Sequence, residues 1–316
     1  PPTVAGHLAV FGCRDGWVYA LRVSDGELVW RFRAAPEESK LVSKGQVESV
    51  WPVHGSVLVQ DGYVYCCAGR SSYLDGGVRM VRLDLPTGRL SLEKNYYSRD
   101  PRTGKTVELY PSFLAGTKDK LARMEMPGVL PDVLSSDGKR LWMRAVTFDG
   151  QLDIRHEFPP HLFSSMGFLD DSWWELSYWI YGEHCYSGRA GIDRAQFISP
   201  SARIMVFDAS RVYGYQDETF SRPGLVAMSK KPRIERKAGT KKGAAQLACE
   251  WRSEVPLYPQ GLVLAGDILF LAGPRRFDEA KTRLLMSTLA TDDFPLPPLL
   301  QDALDTFEGK KGGLLW

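Results

Sequence analysis

The residues best suited to hold a ligand lie in a polar loop between two predicted strands and in the segment before those strands. The candidates are Glu48, Trp51, His54, Arg70, Ser71, Ser72 and Asp75. The Arg70 guanidinium can hold an anion through charge-assisted hydrogen bonds, and the hydroxyl and carboxylate groups of the loop can orient it. The alternative is a structural turn, in which Asp75 and the serines satisfy nearby backbone N–H groups. We predict a ligand site here and assign no catalytic residue.

A secondary set of candidates lies in an aromatic segment near the middle of the chain. These candidates are Asp170, Asp171, Glu175 and His184. Aromatic residues alternate on both faces of the strand predicted here, which favours burial between two sheets. The alternative is a platform on which a sugar ring stacks, with the carboxylates acting as acids. Nearby, His156 and His161 match no zinc-binding spacing, so the sequence predicts no metal site.

The adjacent Cys66 and Cys67 are the closest pair among five cysteines. They fall within a predicted strand, VYCCAG, where neighbouring side chains point to opposite faces. A disulfide between adjacent cysteines needs a strained turn instead. We therefore predict two small buried apolar residues at this point.

Composition excludes several classes of protein. The chain has 316 residues, with 40 Lys and Arg against 38 Asp and Glu and a formal net charge of +2. This balance is not that of a dedicated nucleic-acid binder, and no apolar run reaches the roughly 20 residues that span a bilayer. One basic run, residues 229–243, lacks aromatic residues for stacking on bases, so we interpret it as a solvated loop. We therefore predict no nucleic-acid partner and no transmembrane segment.

Short strands joined by tight turns are the dominant pattern. Residues 8–32 divide into three strands separated by turns at Asp15-Gly16 and Asp25-Gly26. Asp-Gly between β-rich runs is a strong hairpin signal. In the middle strand, Trp17, Tyr19 and Leu21 share one face, and Val18, Ala20 and Arg22 share the other.

The same pattern of short strands joined by tight turns recurs along the chain. Asp61-Gly62 matches Asp15-Gly16, and Thr87-Gly88 matches Asp25-Gly26. Further starts follow near Asp137, Ala209 and Gly266. Spacings of this kind are typical of propeller blades, some with insertions. A small antiparallel sheet cannot bury both of its faces alone, and radial stacking around an axis solves this problem. We predict an all-β fold, a β-propeller of roughly five blades in an incomplete ring, rather than a sandwich.

The segment from Asp15 to Phe32 resembles the tryptophan-bearing blade motif of the quinoprotein-like β-propellers. That superfamily includes alcohol dehydrogenases dependent on pyrroloquinoline quinone (PQQ) and the lipoprotein propeller of the outer-membrane barrel assembly machinery. The resemblance implies that Tyr19 and Leu21 face inward, that Asp25-Gly26 forms the turn and that Trp30 docks on the neighbouring blade. Residues 45–59, 68–84 and 168–184 are similar to an uncharacterised bacterial branch of PQQ-binding-like repeat proteins.

Three functions are compatible with this resemblance. The first is a non-catalytic binding or scaffold module that presents its channel mouth to a small ligand or a protein partner, with no cofactor. The alternative is an oxidoreductase of alcohols or sugars that uses PQQ and Ca²⁺. In that family the cofactor ring lies against a vicinal disulfide, and calcium is held by Glu, Asn and Asp residues that we cannot place in this sequence. A second alternative is a carbohydrate-active propeller.

The sequence also bears on the domain boundaries and on the cellular location of the protein. Both ends of the chain fall inside the repeat pattern, which predicts one propeller domain over residues 1–316 that is a piece of a longer protein. The resemblance implies the bacterial periplasm or cell surface. No signal peptide is recognisable at the start of this sequence.

Overall fold

The structure is a computed structural model, and it describes most of the chain. The described residues are 2–43, 45–54, 57–109, 128–144, 146–155, 159–164, 178–182, 199–217, 220, 223–231, 234–236, 245–288 and 295–316. The chain divides into two compact units, residues 1–194 and residues 195–316. The single domain expected from the sequence stays a prediction.

The first unit contains sixteen described strands. They are β1 (Thr3–Ala5), β2 (Leu8–Gly12), β3 (Trp17–Arg22), β4 (Leu28–Arg33), β5 (Lys40–Ser43), β6 (Gln46–Ser49), β7 (Leu58–Gln60), β8 (Tyr63–Ala68), β9 (Val78–Asp84), β10 (Leu90–Tyr96), β11 (Leu134–Ser136), β12 (Leu141–Met143), β13 (Val146–Phe148), β14 (Ile154–Arg155), β15 (His161–Ser164) and β16 (Trp179–Gly182).

Strands also dominate the second unit, where two helices interrupt them. The strands are β17 (Ser201–Ala202), β18 (Ile204–Phe207), β19 (Arg211–Gln216), β20 (Gly224–Ser229), β21 (Ile234–Arg236), β22 (Ala245–Leu247), β23 (Cys249–Ser253), β24 (Gly261–Ala265), β25 (Ile268–Gly273) and β26 (Leu314–Leu315). The helices, α1 (Glu279–Thr288) and α2 (Pro298–Phe307), lie between β25 and β26.

Most of these strands form antiparallel sheets in which each strand pairs with the next along the chain, except that β20 pairs with β23. Sheet 1 is β1–β4, sheet 2 is β7–β10 and sheet 3 is β11–β14. In the second unit, sheet 4 is β18, β19, β20 and β23, and sheet 5 is β24–β26. These five sheets contain the five starts that the repeat predicted. Two ribbons, β5–β6 and β21–β22, and the pair β15–β16 were not predicted.

Sheet 2 shows how the first unit is packed, because it is covered on both faces. Val64, Cys66 and Leu83 form a core with Val10 and Val18 of sheet 1. The opposite face of sheet 2 carries Tyr65, Cys67 and Met80, which pack on apolar side chains of sheet 3 that include Met143 and Phe148.

Successive four-stranded antiparallel sheets that stack face to face in this way are the blades of a β-propeller. The fold class predicted from the sequence is therefore confirmed, with α1 and α2 as a helical insertion that the strand pattern did not predict.

Trp30 joins the first two blades. The indole Nε1 donates a hydrogen bond to the carbonyl oxygen of Leu85, 2.8 Å away in sheet 2. Gly88 lies directly under the ring. A Cβ atom at this position would come within 2.6 Å of the indole, so only glycine leaves room for it. The predicted docking of Trp30 is confirmed. Tyr19 and Leu21, predicted to face inward, lie half-buried on the other face of β3, whereas Val18 and Ala20 are the buried residues.

One match between the repeats is corrected by the strand order. Asp15-Gly16 joins the second and third strands of sheet 1, whereas Asp61-Gly62 joins the first and second strands of sheet 2. The Asp25-Gly26 and Thr87-Gly88 turns are equivalent, since each joins the third strand to the fourth. The Asp-Gly dipeptide marks a tight turn whichever pair of strands it joins, so it does not fix the register of the repeat.

Candidate functional site

The predicted ligand site is organised by an ion pair between Arg70 and Glu48. Arg70 follows β8, and Glu48 lies in β6, within the connection from sheet 1 to sheet 2. Arg70 Nη2 is 2.5 Å from Glu48 Oε1 and 3.4 Å from the carbonyl oxygen of Ser49. Glu48 is buried and also lies 4.0 Å from Arg14 Nε. A buried carboxylate between two guanidinium groups fixes the connection against the loop that begins at residue 69.

Trp51 forms the floor beneath this loop. It is buried, and its backbone N–H donates to Ser49 Oγ at 3.0 Å. The ring lies against Gly76, where a Cβ atom would meet Trp51 Cζ2 at 3.4 Å. Gly69 and Gly77 have φ of +122° and +110°, and an added Cβ at either would press against backbone within 3.0 Å. These glycines let the two ends of the loop approach each other and let Gly77 approach the backbone of Tyr96.

The remaining candidates of the loop have different roles. Ser72 is fully buried, and its hydroxyl lies 2.7 Å from Ser98 Oγ and accepts a bond from Val129 N–H at 2.9 Å. Ser71 Oγ accepts a bond from Tyr73 N–H at 3.2 Å. Both serines therefore support the structural alternative. Asp75 is exposed at the loop tip with φ of +50°.

His54 is half-buried in the connection, three residues beyond Trp51. Of the seven candidates, the structure thus brings Glu48, Trp51 and Arg70 together, and it gives Ser71 and Ser72 bonds within the loop and its support. The binding role assigned to all seven residues stays a prediction.

An open groove of about 590 Å³ adjoins Trp51. Its lining residues are Pro36, Trp51, Gly76, Arg79, Glu93, Lys94 and Asn95. Arg79 is held by Glu93, with 2.9 Å between Nε and Oε2, and by the carbonyl oxygen of Ala34 at 2.9 Å. Asn95 Nδ2 donates to the carbonyl oxygen of Gly76 at 3.0 Å. The volume is in the range of small-molecule sites, and most of its lining was not among the sequence candidates.

A second ion pair occupies the equivalent place in sheet 3. Arg144 follows β12 as Arg70 follows β8, and Asp132 precedes β11. Arg144 Nε lies 3.3 Å from Asp132 Oδ2, and both side chains are almost completely buried. Arg144 has φ of +52°, a left-handed conformation that favours glycine. The ion pair thus lies at a tight connection that directly follows β12.

His161 contacts the backbone of Arg144 in this second pair. Its ring stacks on Trp142, with 4.9 Å between centroids and 9° between planes. Nε2 lies 2.6 Å from the carbonyl oxygen of Arg144, and Nδ1 lies 2.9 Å from that of Pro159. Burial lowers the pKa of His161, and the two carbonyl oxygens oppose that shift. In the sequence, His161 matched no zinc-binding spacing and received no role. In the structure, it is part of a buried polar cluster.

The second unit has a pair at the same blade position with the charges exchanged. Arg203 precedes β18, and Asp217 follows β19. Their Nε and Oδ2 atoms are 2.7 Å apart. The residue after the second strand is therefore ion-paired with the segment before the first strand in sheets 2, 3 and 4. This recurrence was invisible in the sequence, because the paired residues are separated by different lengths and carry no shared motif.

The described residues do not fit the quinone and calcium set. Cys66 and Cys67 are free thiols on opposite faces of β8, one in each core of sheet 2. They cannot form the vicinal disulfide that the alternative needs. Burial raises the pKa of Cys66 to about 12 and that of Cys67 well above its ordinary value. Within the described ranges, no group of three or more His, Cys, Asp or Glu side chains is placed to hold a metal ion.

The secondary candidates Asp170, Asp171, Glu175 and His184 lie outside the described residues. Of the aromatic segment, the structure describes residues 178–182. There, Tyr178 and Ile180 are buried, whereas Trp179 and Tyr181 are half-buried. This alternation agrees with the faces predicted for the strand.

Comparison with known proteins gives similarity in structure alone. No family model matches the chain, and no curated protein matches it. The structure is similar to that of BamB from Moraxella catarrhalis, with 12% identity, a TM-score of 0.34 and coverage of 84% of this chain and 76% of that one. It is also similar to a quinohemoprotein alcohol dehydrogenase from Pseudomonas putida HK5, with 11% identity, a TM-score of 0.36 and coverage of 88% and 44%.

A quinohemoprotein alcohol dehydrogenase from Comamonas testosteroni gives 12% identity, a TM-score of 0.34 and coverage of 87% of this chain and 43% of that one. The chain thus spans less than half the length of either dehydrogenase. The blade assignment rests on the sheets of this chain and on their packing, and no ligand or activity passes to it from these structures.

Among the described residues, no helix is long and apolar enough to cross a membrane.

Proposed function

We propose that this chain is a non-catalytic binding module whose first unit holds a ligand or a protein partner in the groove beside Trp51. The observation that supports it most is the position of Trp51. Its ring lies under the loop that the Glu48–Arg70 pair fixes, and it also lines the groove. The polar groups of the groove are held by Arg79–Glu93 and Asn95–Gly76 contacts, so they are oriented before a ligand arrives.

A screen with a random-peptide phage library and a glycan array tests this proposal on the whole chain. A ligand from either source is then titrated against the double variant Glu93→Ala/Asn95→Ala. The matched control is Glu27→Ala, a carboxylate that is exposed away from the groove. We expect at least a tenfold loss of affinity in the double variant and none in the control. Equal affinity of all three proteins would contradict the groove as the site.

The oxidoreductase alternative is tested by adding PQQ and Ca²⁺ and following dye reduction with alcohols and sugars. The proposal expects no turnover. Saturable binding with turnover would replace the binding module with the enzyme. Ligands found only on the glycan array would favour the carbohydrate-active alternative, in which Arg70, His54 and the acids near Asp170 act on the sugar.

We also infer a periplasmic or cell-surface location. Only the resemblance to quinoprotein-like propellers supports it. Fractionation of the source cells tests it, with the chain expected outside the cytoplasm.

A further inference from the structure

The edge strand of sheet 2 borders the groove beside Trp51. This strand is β10, which pairs only with β9 among the described strands. Three consecutive residues of β10 line the groove, namely Glu93, Lys94 and Asn95. Neighbouring side chains of a strand point to opposite faces of the sheet. A groove that reaches three residues in a row therefore runs along the edge of the strand, where the backbone lies.

The hydrogen bonds of β9 show which backbone groups of β10 face outward. In an antiparallel pair, residues that bond to the partner strand alternate with residues whose backbone groups point away from it. The Asp84 N–H donates to the carbonyl oxygen of Arg89 at 2.8 Å, on the β10 side. The Leu85 N–H donates to the carbonyl oxygen of Gly62 at 2.9 Å, on the β8 side. Even-numbered residues of β9 therefore bond towards β10, and odd-numbered residues bond towards β8.

Glu93 and Asn95 are the outward-facing residues beside the groove. They pair with Val81 and Arg79, which bond towards β8, so their own N–H and C=O groups point away from β9. No backbone group in the described part of the chain bonds to these N–H and C=O groups. A strand edge with free donors and acceptors is a template on which another extended chain can pair.

The charged side chains of β10 leave this edge accessible. Proteins often protect an open edge with charged residues. Here, Glu93 Oε2 is held by Arg79 Nε at 2.9 Å, and Lys94 Nζ is held by Asp153 Oδ1 at 2.8 Å. Because each charge already has a partner within the protein, the edge favours an incoming strand that carries no charge of its own.

We propose that an extended, uncharged peptide segment of a protein partner adds to β10 as a fifth strand of sheet 2. Its backbone bonds to Glu93 and Asn95, and the side chains on one of its faces enter the groove beside Pro36 and Trp51. In strand addition of this kind, main-chain hydrogen bonds give affinity and pockets for alternate side chains give specificity. This peptide site rests on the proposed function and deepens it, because it assigns the groove to a peptide and not to a glycan.

Methylation of the peptide backbone tests the pairing. The probe is a peptide selected on the whole chain from the random-peptide phage library, made as a series in which each residue in turn carries an N-methyl group. An N-methyl group removes one donor, and in an added strand only every second N–H bonds to the protein. We expect the affinity to fall about tenfold or more at alternate residues and less than about twofold at the residues between them.

A proline in β10 tests the same pairing from the side of the protein. Asn95→Pro removes an outward N–H and no bond within the sheet, and proline is tolerated at such edge positions. Asn95→Ala keeps this N–H and removes the same side chain. By the same alternation, Arg31 faces outward from β4 at the edge of sheet 1, so Arg31→Pro is the matched control. We expect Asn95→Pro to bind the selected peptide about tenfold or more weakly than Asn95→Ala, and Arg31→Pro to bind it as the unchanged protein does.

The added strand and the proposed function can fail separately, with circular dichroism to confirm that every variant is folded. A selected peptide that loses affinity in Glu93→Ala/Asn95→Ala but shows no alternation on methylation would overturn the added strand and leave the groove as the site. Equal affinity of Asn95→Pro and Asn95→Ala would also overturn it, as would ligands from the glycan array alone. The absence of any ligand from either source would contradict both proposals.

Discussion

The Glu48–Arg70 and Asp132–Arg144 ion pairs of the first unit occupy the same blade position but differ in their surroundings. Arg70 lies at the start of a long loop, and its side chain is 24% exposed. Arg144 follows a short strand and is 12% exposed, and its carbonyl oxygen contacts His161, whose ring stacks on Trp142. The same pairing therefore supports an accessible surface in sheet 2 and a closed polar core in sheet 3. The difference lies in the length of the connection, and not in the charges.

The largest expected effect comes from removing the acid of each pair. Asp132→Asn leaves the buried Arg144 charge without its partner, so we expect the free energy of unfolding to fall by about 3 kcal/mol. Glu48→Gln removes the charge opposite Arg70, whose side chain is already closer to water, so we expect the free energy of unfolding to fall by only about 1 kcal/mol. Urea denaturation measures both, with the exposed Glu27→Gln as the control. Equal losses in the two variants would show that burial does not distinguish the pairs.

Ser72 provides the next test, since it ties the accessible loop to the core. Ser72→Ala removes the acceptor of the buried Val129 N–H and a partner of Ser98, so we expect a loss of about 2 kcal/mol. Ser71→Ala is the matched control in the same loop. It removes one bond to a half-buried N–H, and we expect less than about 1 kcal/mol. Denaturation curves that reverse this order would contradict the anchoring role of Ser72.

The sequence predicted the repeated strands well, because hairpin turns and alternating burial are local properties. The opposite faces of Cys66 and Cys67 follow from strand geometry alone, and the burial predicted for both side chains is confirmed. The basic run is different. It was interpreted as a loop, yet β21 and β22 pair within and just beyond it. This ribbon has only three residues in each strand, too few to show a period.

The helices and the ion pairs were missed for two other reasons. Pro297 and Pro298 stand at the start of α2, where the missing N–H has no partner within the helix anyway, so the prolines do not by themselves reveal a helix in the sequence. The members of the Glu48–Arg70 pair are 22 residues apart in the sequence, and those of the Asp132–Arg144 pair are 12 residues apart. Only the sheet topology brings such positions together, so a single sequence carries no signal for them.

A smaller effect is expected from pH, and it concerns only the closed cluster. The pKa of His161 is lowered by burial, so the native state binds fewer protons than the unfolded chain just below the ordinary value of about 6.5. The free energy of unfolding should therefore fall as the pH drops through this range. His161→Phe keeps a ring on Trp142 and removes the titrating group, so its stability should depend less on pH between about 7 and 5.

The contrary result is equally specific. Both ring nitrogens of His161 face carbonyl oxygens, and only the protonated ring can donate to both. If the unchanged protein gains stability relative to His161→Phe as the pH falls, the cluster holds a cation, and burial is the smaller influence on its pKa.

The smallest effect concerns the reactivity of the cysteine thiols. It reports on the surroundings of both ion pairs and needs no substitution that would destabilise either. Cys249 is the exposed one among the four cysteines that the structure describes, and we expect it to react with iodoacetamide at alkaline pH before Cys66 and Cys67. Cys66 and Cys67 are buried with raised pKa values, so they react only when a sheet interface opens. Cys66 lies in the core between sheets 1 and 2, beneath the accessible region, and Cys67 lies in the core between sheets 2 and 3. Because the closed cluster stabilises sheet 3, we expect mass spectrometry to find Cys66 labelled before Cys67. The reverse order would mean that the region with the more buried ion pair opens more readily.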